Sequence, residues 1–265
     1  MTPPWILLVA WAVMAVVMTV LWLVQRARGD AGIVDIAWSY GTGLAGAVFA
    51  LTADGWGPRQ MLIAVLAALW GARLGTYLVL RSRGASEDGR YRDMRLAWGD
   101  HAQRNLFLFF QLQASWTVLF ALPMGFAAAN ATPGFGWLDA LGVLIWIVAL
   151  VGETLADAQL KRFRASSSYA TRGGVCDVGL WSVSRHPNYF FEWVHWWTYV
   201  ALGLGGPWGW ATLFGPAVML FFLLRVTGIP PAEKRALARK GDAYRRYMAR
   251  TNAFFPWPRT KGRVS

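Results

Sequence analysis

Long uncharged stretches constrain the fold of this chain more than any other feature of its sequence. A helix that spans a bilayer needs about 20 mostly apolar residues. The stretches that qualify are residues 1–25, 36–53, a run from about residue 60 to residue 80 interrupted only by Arg73, 105–138, 137–155 and 193–224. Turn-forming residues at 130–134 and 205–207 divide the longest of them. The pattern predicts an all-α integral membrane protein with seven transmembrane helices, in a single domain over residues 1–265.

Composition favours a membrane protein and excludes a typical soluble one. Only 15% of the residues are charged, against roughly 25% in an ordinary soluble domain. The 17 tryptophans suit a protein that meets the membrane–water boundary. The single cysteine, Cys176, excludes an intramolecular disulfide and a cysteine-based zinc cluster, and we expect no metal site.

The positive charges predict which way the chain crosses the membrane. Of the 26 lysines and arginines, 24 fall in the segments that follow the first, third, fifth and seventh spans. Because basic loops stay on the cytoplasmic side, we expect the N-terminus outside and the C-terminus in the cytoplasm. No basic residue precedes the first span, which favours an anchor over a cleaved signal peptide.

Charged residues inside or beside the spans indicate where a functional site lies, because a charge within a bilayer is costly and is usually kept for function. These residues are Asp35, Arg73, Glu153, Asp157, Glu192 and, when protonated, His195. They cluster toward the cytoplasmic ends of the predicted spans, so we expect a polar cavity that opens to the cytoplasm. For any single one, the alternative is a paired structural residue or a side chain that reaches the interface.

The segment after the fifth span carries the most chemistry. Asp157, Lys161 and Arg164 fall on one face of a helix that leaves the membrane. The turn at residues 172–174 is Arg-Gly-Gly and is expected to expose backbone N–H groups. Arginines beside a glycine-rich turn suit a ligand with several phosphates. For Lys161 and Arg162, an ordinary cytoplasmic loop charge is the alternative interpretation.

A second polar block lies at residues 185–189, which read Arg-His-Pro-Asn-Tyr. Proline favours a helix start at this point, and Asn188 then stands one turn before Glu192. That pair can clamp a polar group of a ligand.

Two other patterns favour packing or lipid binding. Residues 41–46 match the dinucleotide-binding pattern G-x-G-x-x-G, but they lie within a span and no strand precedes them, which predicts helix packing by small residues. The basic, amphipathic tail ends in aromatic residues at 254–257. It is typical of a helix on an anionic lipid surface rather than of nucleic-acid binding.

Several features of the chain belong together: residues 157–164, the 185–189 block with Glu192 and Trp193, Arg225, and the closing Tyr-x-x-Tyr and Phe-Phe-Pro-Trp. As a set, they resemble the steroid 5-alpha-reductase family. The likeness is strongest over residues 140–258 and is closest to the bacterial members, catalogued as a domain of unknown function. It implies a seven-helix enzyme of the bacterial inner membrane that reduces the carbon–carbon double bond of an enone lipid, such as a 3-keto-4-ene steroid, with NADPH. The substrate would enter from the bilayer and the cofactor from the cytoplasm. The expected partners are membrane lipids, with no obligate protein partner and no nucleic acid.

The resemblance also implies roles for residues of this chain. The expected cofactor contacts are Arg73, Asp157, Lys161, Arg164, Arg172, Arg185, His186, Asn188, Tyr189, Glu192 and Arg225. Asp35 falls where the family has a glutamate that polarises the substrate ketone, provided that burial keeps its carboxyl group protonated. The family's tyrosine position falls near Trp70 and Gly71, so Tyr40 or Tyr77 is expected to replace it.

Two other function classes remain open from the sequence. The Arg-His-Pro-x-Tyr block also occurs in isoprenylcysteine-type membrane methyltransferases, which use S-adenosylmethionine. That cofactor has no phosphates and would need fewer basic residues. A non-enzymatic transporter or structural membrane protein would bind no nucleotide.

Overall fold

The computed structural model describes residues 1–83 and 87–258, and this part of the chain is helical and contains no β-strand. The main helices are α1 (Pro4–Arg28), α2 (Ile33–Leu51), α3 (Gly57–Ser82), α4 (Gly89–Trp98), α5 (Ala102–Ala128), α6 (Trp137–Arg164), α7 (Ser168–Thr171), α8 (Pro187–Gly203), α9 (Phe214–Phe221) and α10 (Ile229–Arg250). Short 3₁₀ turns lie at Gly99–His101, Gly179–Ser182 and Gly209–Leu213, and a π-helical turn at Phe222–Val226 follows α9.

Six helical segments are long and apolar enough to cross a membrane, so the chain is a multi-pass membrane protein. They are Pro4–Arg28, Ile33–Leu51, Gly57–Ser82, Gly89–Ala128, Trp137–Arg164 and Gly209–Arg250. α8 has 17 residues, at the lower end of the roughly 17–25 that span a bilayer, and it is not among the six. Large apolar side chains point outward from these helices, as at Leu8 with 67% exposure, where lipid replaces water as the surrounding medium.

Glycine and proline set the helix limits that the sequence predicted. α1 ends at Gly29, whose φ of 78° lets its N–H close the last turn on the carbonyl of Gln25 at 2.7 Å. α8 begins at Pro187, as expected. The turn after it contains Gly205 at a φ of 85°, and the predicted break at 205–207 is confirmed.

The described chain divides into two compact units, and the first comprises Met1–Asp139 and Tyr199–Gly215. Its centre is α2, which packs against α3 and α5. A Cβ atom added at Gly43 would lie 2.8 Å from both the Ala67 carbonyl oxygen and the Gly71 Cα. The small residues therefore let α2 and α3 approach closely, and the prediction that residues 41–46 serve helix packing is confirmed.

A buried ion pair in this unit lies at the start of α3. Arg59, at the start of α3, bonds both carboxylate oxygens of Asp139 at 2.7 and 3.0 Å. Its remaining N–H groups donate to the carbonyls of Asn130, Thr132 and Gly134 at 2.7 to 3.3 Å. The guanidinium group thus holds the turn between α5 and α6, which contains three carbonyls that the helices leave without partners.

The second unit comprises Ala140–Thr198 and Pro216–Ser265, of which residues up to 258 are described. α6 and α8 lie close together where Gly152 faces the ring of Phe191, with no room for a Cβ atom. The Trp181 indole N–H donates to the Ala156 carbonyl at 2.9 Å, so the segment between α7 and α8 folds back on α6. Near the chain end, Tyr244 and Tyr247 pack on Val175.

Candidate functional site

A buried polar stripe joins α6 and α8 in the second unit. Asn188 donates to the Asp157 carboxylate at 3.5 Å, which brings together the two segments that the sequence singled out. Glu153 stands one turn before Asp157, and Glu192 one turn after Asn188. The three carboxylates are each 6 or 7% exposed. Helical spacing thus aligns acidic side chains along the contact between two apolar helices.

The predicted basic residues of α6 continue the stripe toward its end. Lys161 and Arg164 fall on the same side of α6 as Asp157, and both are exposed. From Asp157 to Arg164 the helix rises about 10 Å. The stripe therefore changes along its length from buried hydrogen-bonding groups to solvent-exposed positive charge. Arg225 is also exposed, in the π-helical turn that precedes α10.

The start of the 185–189 block contacts α10 and the segment after it. Arg185 bonds the Glu233 carboxylate at 2.6 Å and the carbonyls of Met248 and Thr251 at 3.2 and 2.5 Å. His186 lies 3.3 Å from the same carboxylate and stacks on Tyr189, with 5.3 Å between the ring centroids. These contacts tie α10 to the start of α8.

The environment of His186 favours its neutral form. Burial lowers the pKa of the imidazole from its ordinary value, because a charged ring would lose its hydration. The nearby Glu233 carboxylate raises the pKa, but by less than burial lowers it. Burial therefore favours an uncharged imidazole at this position.

The Arg172-Gly173-Gly174 turn does not present free backbone donors, and this prediction is wrong. Gly173 and Gly174 do adopt positive φ angles of 58° and 72°. However, the N–H groups of residues 172–175 donate to the carbonyls of Ser168, Ala170, Tyr169 and Arg172. The backbone N–H groups of this segment are thus used in hydrogen bonds within its own successive turns.

The structure also separates basic residues that the sequence grouped together. Arg172 lines an open cleft of about 310 Å³ beside α6, together with Arg162 and Gln159. Gln159 and Arg162 follow Asp157 by two and five residues, so they lie on the opposite side of α6 from Asp157 and Arg164. Arg162, for which an ordinary loop charge was one interpretation, is thus a candidate binding residue.

In the first unit, Asp35 is the centre of a polar cluster. Arg90 bonds one carboxylate oxygen of Asp35 at 2.5 Å, and the Tyr91 hydroxyl donates to the other at 2.8 Å. Beside them, Arg95 bonds Glu87 and Gln25 at 3.1 and 2.7 Å. α4, which supplies three of these residues, therefore docks onto the start of α2.

Tyr91, which is 1% exposed, is the residue that the sequence analysis missed. It lies 56 positions from Asp35, and nothing in the local pattern links the two. In this geometry Asp35 accepts hydrogen bonds from both Arg90 and Tyr91. The hydroxyl of Tyr40 bonds Thr76 at 2.8 Å, and Tyr77 packs on the Arg73 guanidinium at 5.4 Å.

Comparison with known proteins identifies a family. A family model described as a protein of unknown function, DUF1295, matches residues 21–251, which include both polar clusters. No curated protein and no solved structure matches the chain. The match covers most of the chain, from the end of α1 to the end of α10, and the protein is therefore a member of the DUF1295 family.

Proposed function

We propose that this protein is a membrane-embedded reductase that uses NADPH to reduce the carbon–carbon double bond of an enone lipid, as the resemblance to steroid 5-alpha-reductases implies. The observation that carries the proposal is the polar stripe of Glu153, Asp157, Asn188 and Glu192, whose three carboxylates are buried between two apolar helices. Acidic side chains are costly to bury in such a place, which favours a functional role over a structural one.

The hydrogen-bonding and charged groups of the stripe suit a nicotinamide dinucleotide. Buried carboxylates and the Asn188 amide suit hydroxyl and amide groups, whereas Lys161 and Arg164 at the exposed end suit phosphate. The backbone positions of Asp157 and Arg164 lie about 10 Å apart along the helix axis, so we expect a ligand that is neutral and polar at one end and anionic at the other. A reduced nicotinamide bound there would supply a hydride to the β-carbon of the enone, and a proton from water would complete the reduction at the α-carbon.

The Asp35–Tyr91 pair supplies the other chemical requirement. Negative charge develops on the ketone oxygen during hydride addition, and a fixed hydrogen-bond donor in an apolar site stabilises it. We assign that donor to the Tyr91 hydroxyl, which would turn its single proton from the Asp35 carboxylate to the ketone oxygen when the substrate binds, in place of the Tyr40 or Tyr77 hydroxyl expected from the sequence. Arg90 holds the other oxygen of Asp35 and so restricts the orientation of the carboxylate.

The proposal includes seven spans, with the N-terminus outside and the C-terminus in the cytoplasm of a bacterial inner membrane. Support for α8 as the seventh span comes from Asn130, whose side-chain amide donates to the Leu204 carbonyl at 3.3 Å. The turn after α8 therefore lies at the same end as the turn before α6. The basic residues at the opposite end of α6 support a cofactor side in the cytoplasm, because basic loops stay on that side.

Ligand-dependent thermal unfolding of the purified protein in detergent tests the cofactor. A ligand that binds only the folded state raises the midpoint temperature, by an amount that grows with the logarithm of its concentration once this exceeds the dissociation constant. We expect NADPH to stabilise the protein and S-adenosylmethionine to leave it unchanged. Stabilisation by S-adenosylmethionine alone would identify a methyltransferase, and a response to neither would favour a protein without nucleotide chemistry.

Asn188→Ala and Tyr91→Phe separate the two halves of the proposal. Asn188→Ala should weaken stabilisation by NADPH, whereas Tyr91→Phe should leave it intact. With an enone steroid as substrate, Tyr91→Phe should lower kcat by about 10²–10³-fold, the usual effect of losing one oxyanion donor. Tyr40→Phe is the matched control, because it removes the same atom from the same unit. A larger effect of Tyr40→Phe would overturn the assignment of Tyr91.

A further inference from the structure

The outer side of α10 is a basic surface that the proposed reaction does not use. Side chains from both halves of this helix, among them Leu237 and Tyr247, pack on one cluster that includes Val175. Gly241, whose φ is 49°, separates the two halves. The side turned away from this cluster carries exposed basic residues, and together they form the basic surface of α10: Lys234, Arg239, Arg245 and Arg246.

Almost no negative charge accompanies this basic surface. Within the described residues of the second unit, Asp242 is the only exposed acidic one. It pairs with Arg245 at 2.6 Å. Lys234, Arg239 and Arg246 form no ion pair with any described residue. Their charges therefore remain available to an anionic partner outside the chain.

The segment after α10 places aromatic side chains beside the start of an apolar helix. Phe255 packs on Phe190 and Trp193, with ring centroids 6.2 and 5.7 Å apart. These two partners lie in the first two turns of α8, where its uncharged run begins. The Trp257 backbone N–H donates to the Val183 carbonyl at 3.0 Å, while the residue stays 66% exposed. An exposed indole next to an apolar helix is typical of the level of the lipid headgroups.

We propose that the basic surface of α10 binds the headgroups of anionic phospholipids in the surrounding bilayer. Each lysine or arginine held next to such lipids strengthens the attraction by about fivefold. An acidic protein would match the charges equally well, but the exposed indole beside α8 favours a lipid headgroup. The proposal does not rest on the reductase assignment, because none of the four residues is assigned to the cofactor or to the ketone.

The accessibility of α10 in lipid nanodiscs provides the test. The full chain, in a Cys176→Ser background, carries a fluorophore at Ala249→Cys, an exposed position of α10. Acrylamide quenches the fluorophore from the water phase and, being neutral, is not repelled by anionic lipid. We expect quenching to be several-fold weaker in discs that contain phosphatidylglycerol than in discs of phosphatidylcholine alone. Added salt should remove this difference, because it screens the attraction.

The test variant is Lys234→Gln with Arg239→Gln and Arg246→Gln, which keeps the pair of Arg245 and Asp242. All three substituted side chains are exposed, so the variant should fold as the wild type does, and its midpoint temperature checks this. We expect the test variant to be quenched equally in the two kinds of disc.

The control is Arg28→Gln with Arg92→Gln and Arg104→Gln. It removes the same charge from exposed positions of the first unit. We expect this control to retain the difference between the two kinds of disc, because the basic surface of α10 is intact.

The outcomes separate a lipid from other partners. Equal quenching of the wild type in the two kinds of disc, or an equal loss of the difference in both variants, would overturn the lipid site. Polyglutamate represents an acidic protein: if it shields the fluorophore in phosphatidylcholine discs and phosphatidylglycerol does not, the partner is an acidic protein instead. Neither cofactor nor substrate is present in this measurement, so its result is separate from that of the NADPH experiment.

Discussion

Single charged residues in this protein take their roles from partners that are far away in the chain. Arg59 lies outside every motif in the sequence, yet it is 3% exposed and makes five hydrogen bonds to Asp139 and to the turn before α6. Arg185 belongs to a recognisable block, yet its bonds go to Glu233 and to backbone carbonyls near the chain end. A residue type predicts what a side chain can bind but not which group it meets.

Arg59→Leu should destabilise the protein by about 3–5 kcal/mol, because it leaves the Asp139 carboxylate buried without its counter-charge. Arg81→Leu is the control, since Arg81 pairs with Asp88 at 3.2 Å but is 51% exposed. A surface pair of this kind contributes about 0–1 kcal/mol. Denaturant unfolding in detergent measures both variants. Equal losses would show that the Arg59 pair contributes no more than an exposed one.

His186 should make stability depend on pH. Its pKa is lowered in the folded state, so below the ordinary histidine pKa of about 6.5 the unfolded chain takes up a proton that the folded chain resists. Stability is therefore complete above that value and falls as the pH drops from about 7 toward 5. The midpoint temperature of His186→Gln should vary less over this window, whereas that of His101→Gln, at an exposed histidine, should follow the wild type. A slope unchanged in His186→Gln would contradict this origin.

At the scale of helices, close approach depends on residues without side chains. α2 and α3 meet at Gly43 and Gly71, each of which would place a Cβ atom 2.8 Å from the other's Cα. Apolar association is weak inside a bilayer because lipid is as apolar as the helix surface, so such contacts supply much of the attraction. The pattern at 41–46 is thus explained by membrane packing.

Gly43→Ala should cost about 1–3 kcal/mol of stability, since its methyl group meets backbone atoms that cannot turn away. Gly57→Ala is the control at the start of α3, where nothing lies within 4 Å of an added Cβ atom. That change should be neutral or slightly stabilising. Thermal unfolding in the same detergent compares them, and a loss in Gly57→Ala as large as in Gly43→Ala would argue against the contact.

At the scale of the whole molecule, the number of spans decides where each loop lies. In a Cys176→Ser background, single cysteines at the exposed positions Ala131, Ser167 and Pro207 report the side of the membrane. If α8 crosses, Ala131→Cys and Pro207→Cys react with an impermeant thiol reagent from the outside, and Ser167→Cys does not. If α8 does not cross, Pro207→Cys follows Ser167→Cys instead, and the seven-span topology is wrong.

Most helices of this fold were predictable because their limits are local. The break at 130–136 and the helix start at Pro187 are confirmed, since proline and glycine restrict the backbone wherever they occur. The candidate site was predictable only where helical spacing placed residues on one face, as for Asp157 and Arg164. The position of Arg172 beside Arg162 was not, because it depends on how residues 165–183 fold back on that helix.

The sequence by itself determined that this is a multi-pass helical membrane protein. Runs of apolar residues leave the chain one way to satisfy its backbone hydrogen bonds in lipid, which is the helix. Only the tertiary structure decided which polar groups meet, because those partners lie 56 positions apart for Asp35 and Tyr91 and 80 for Arg59 and Asp139. Their encounter depends on the packing of whole helices, which no local pattern of residues encodes.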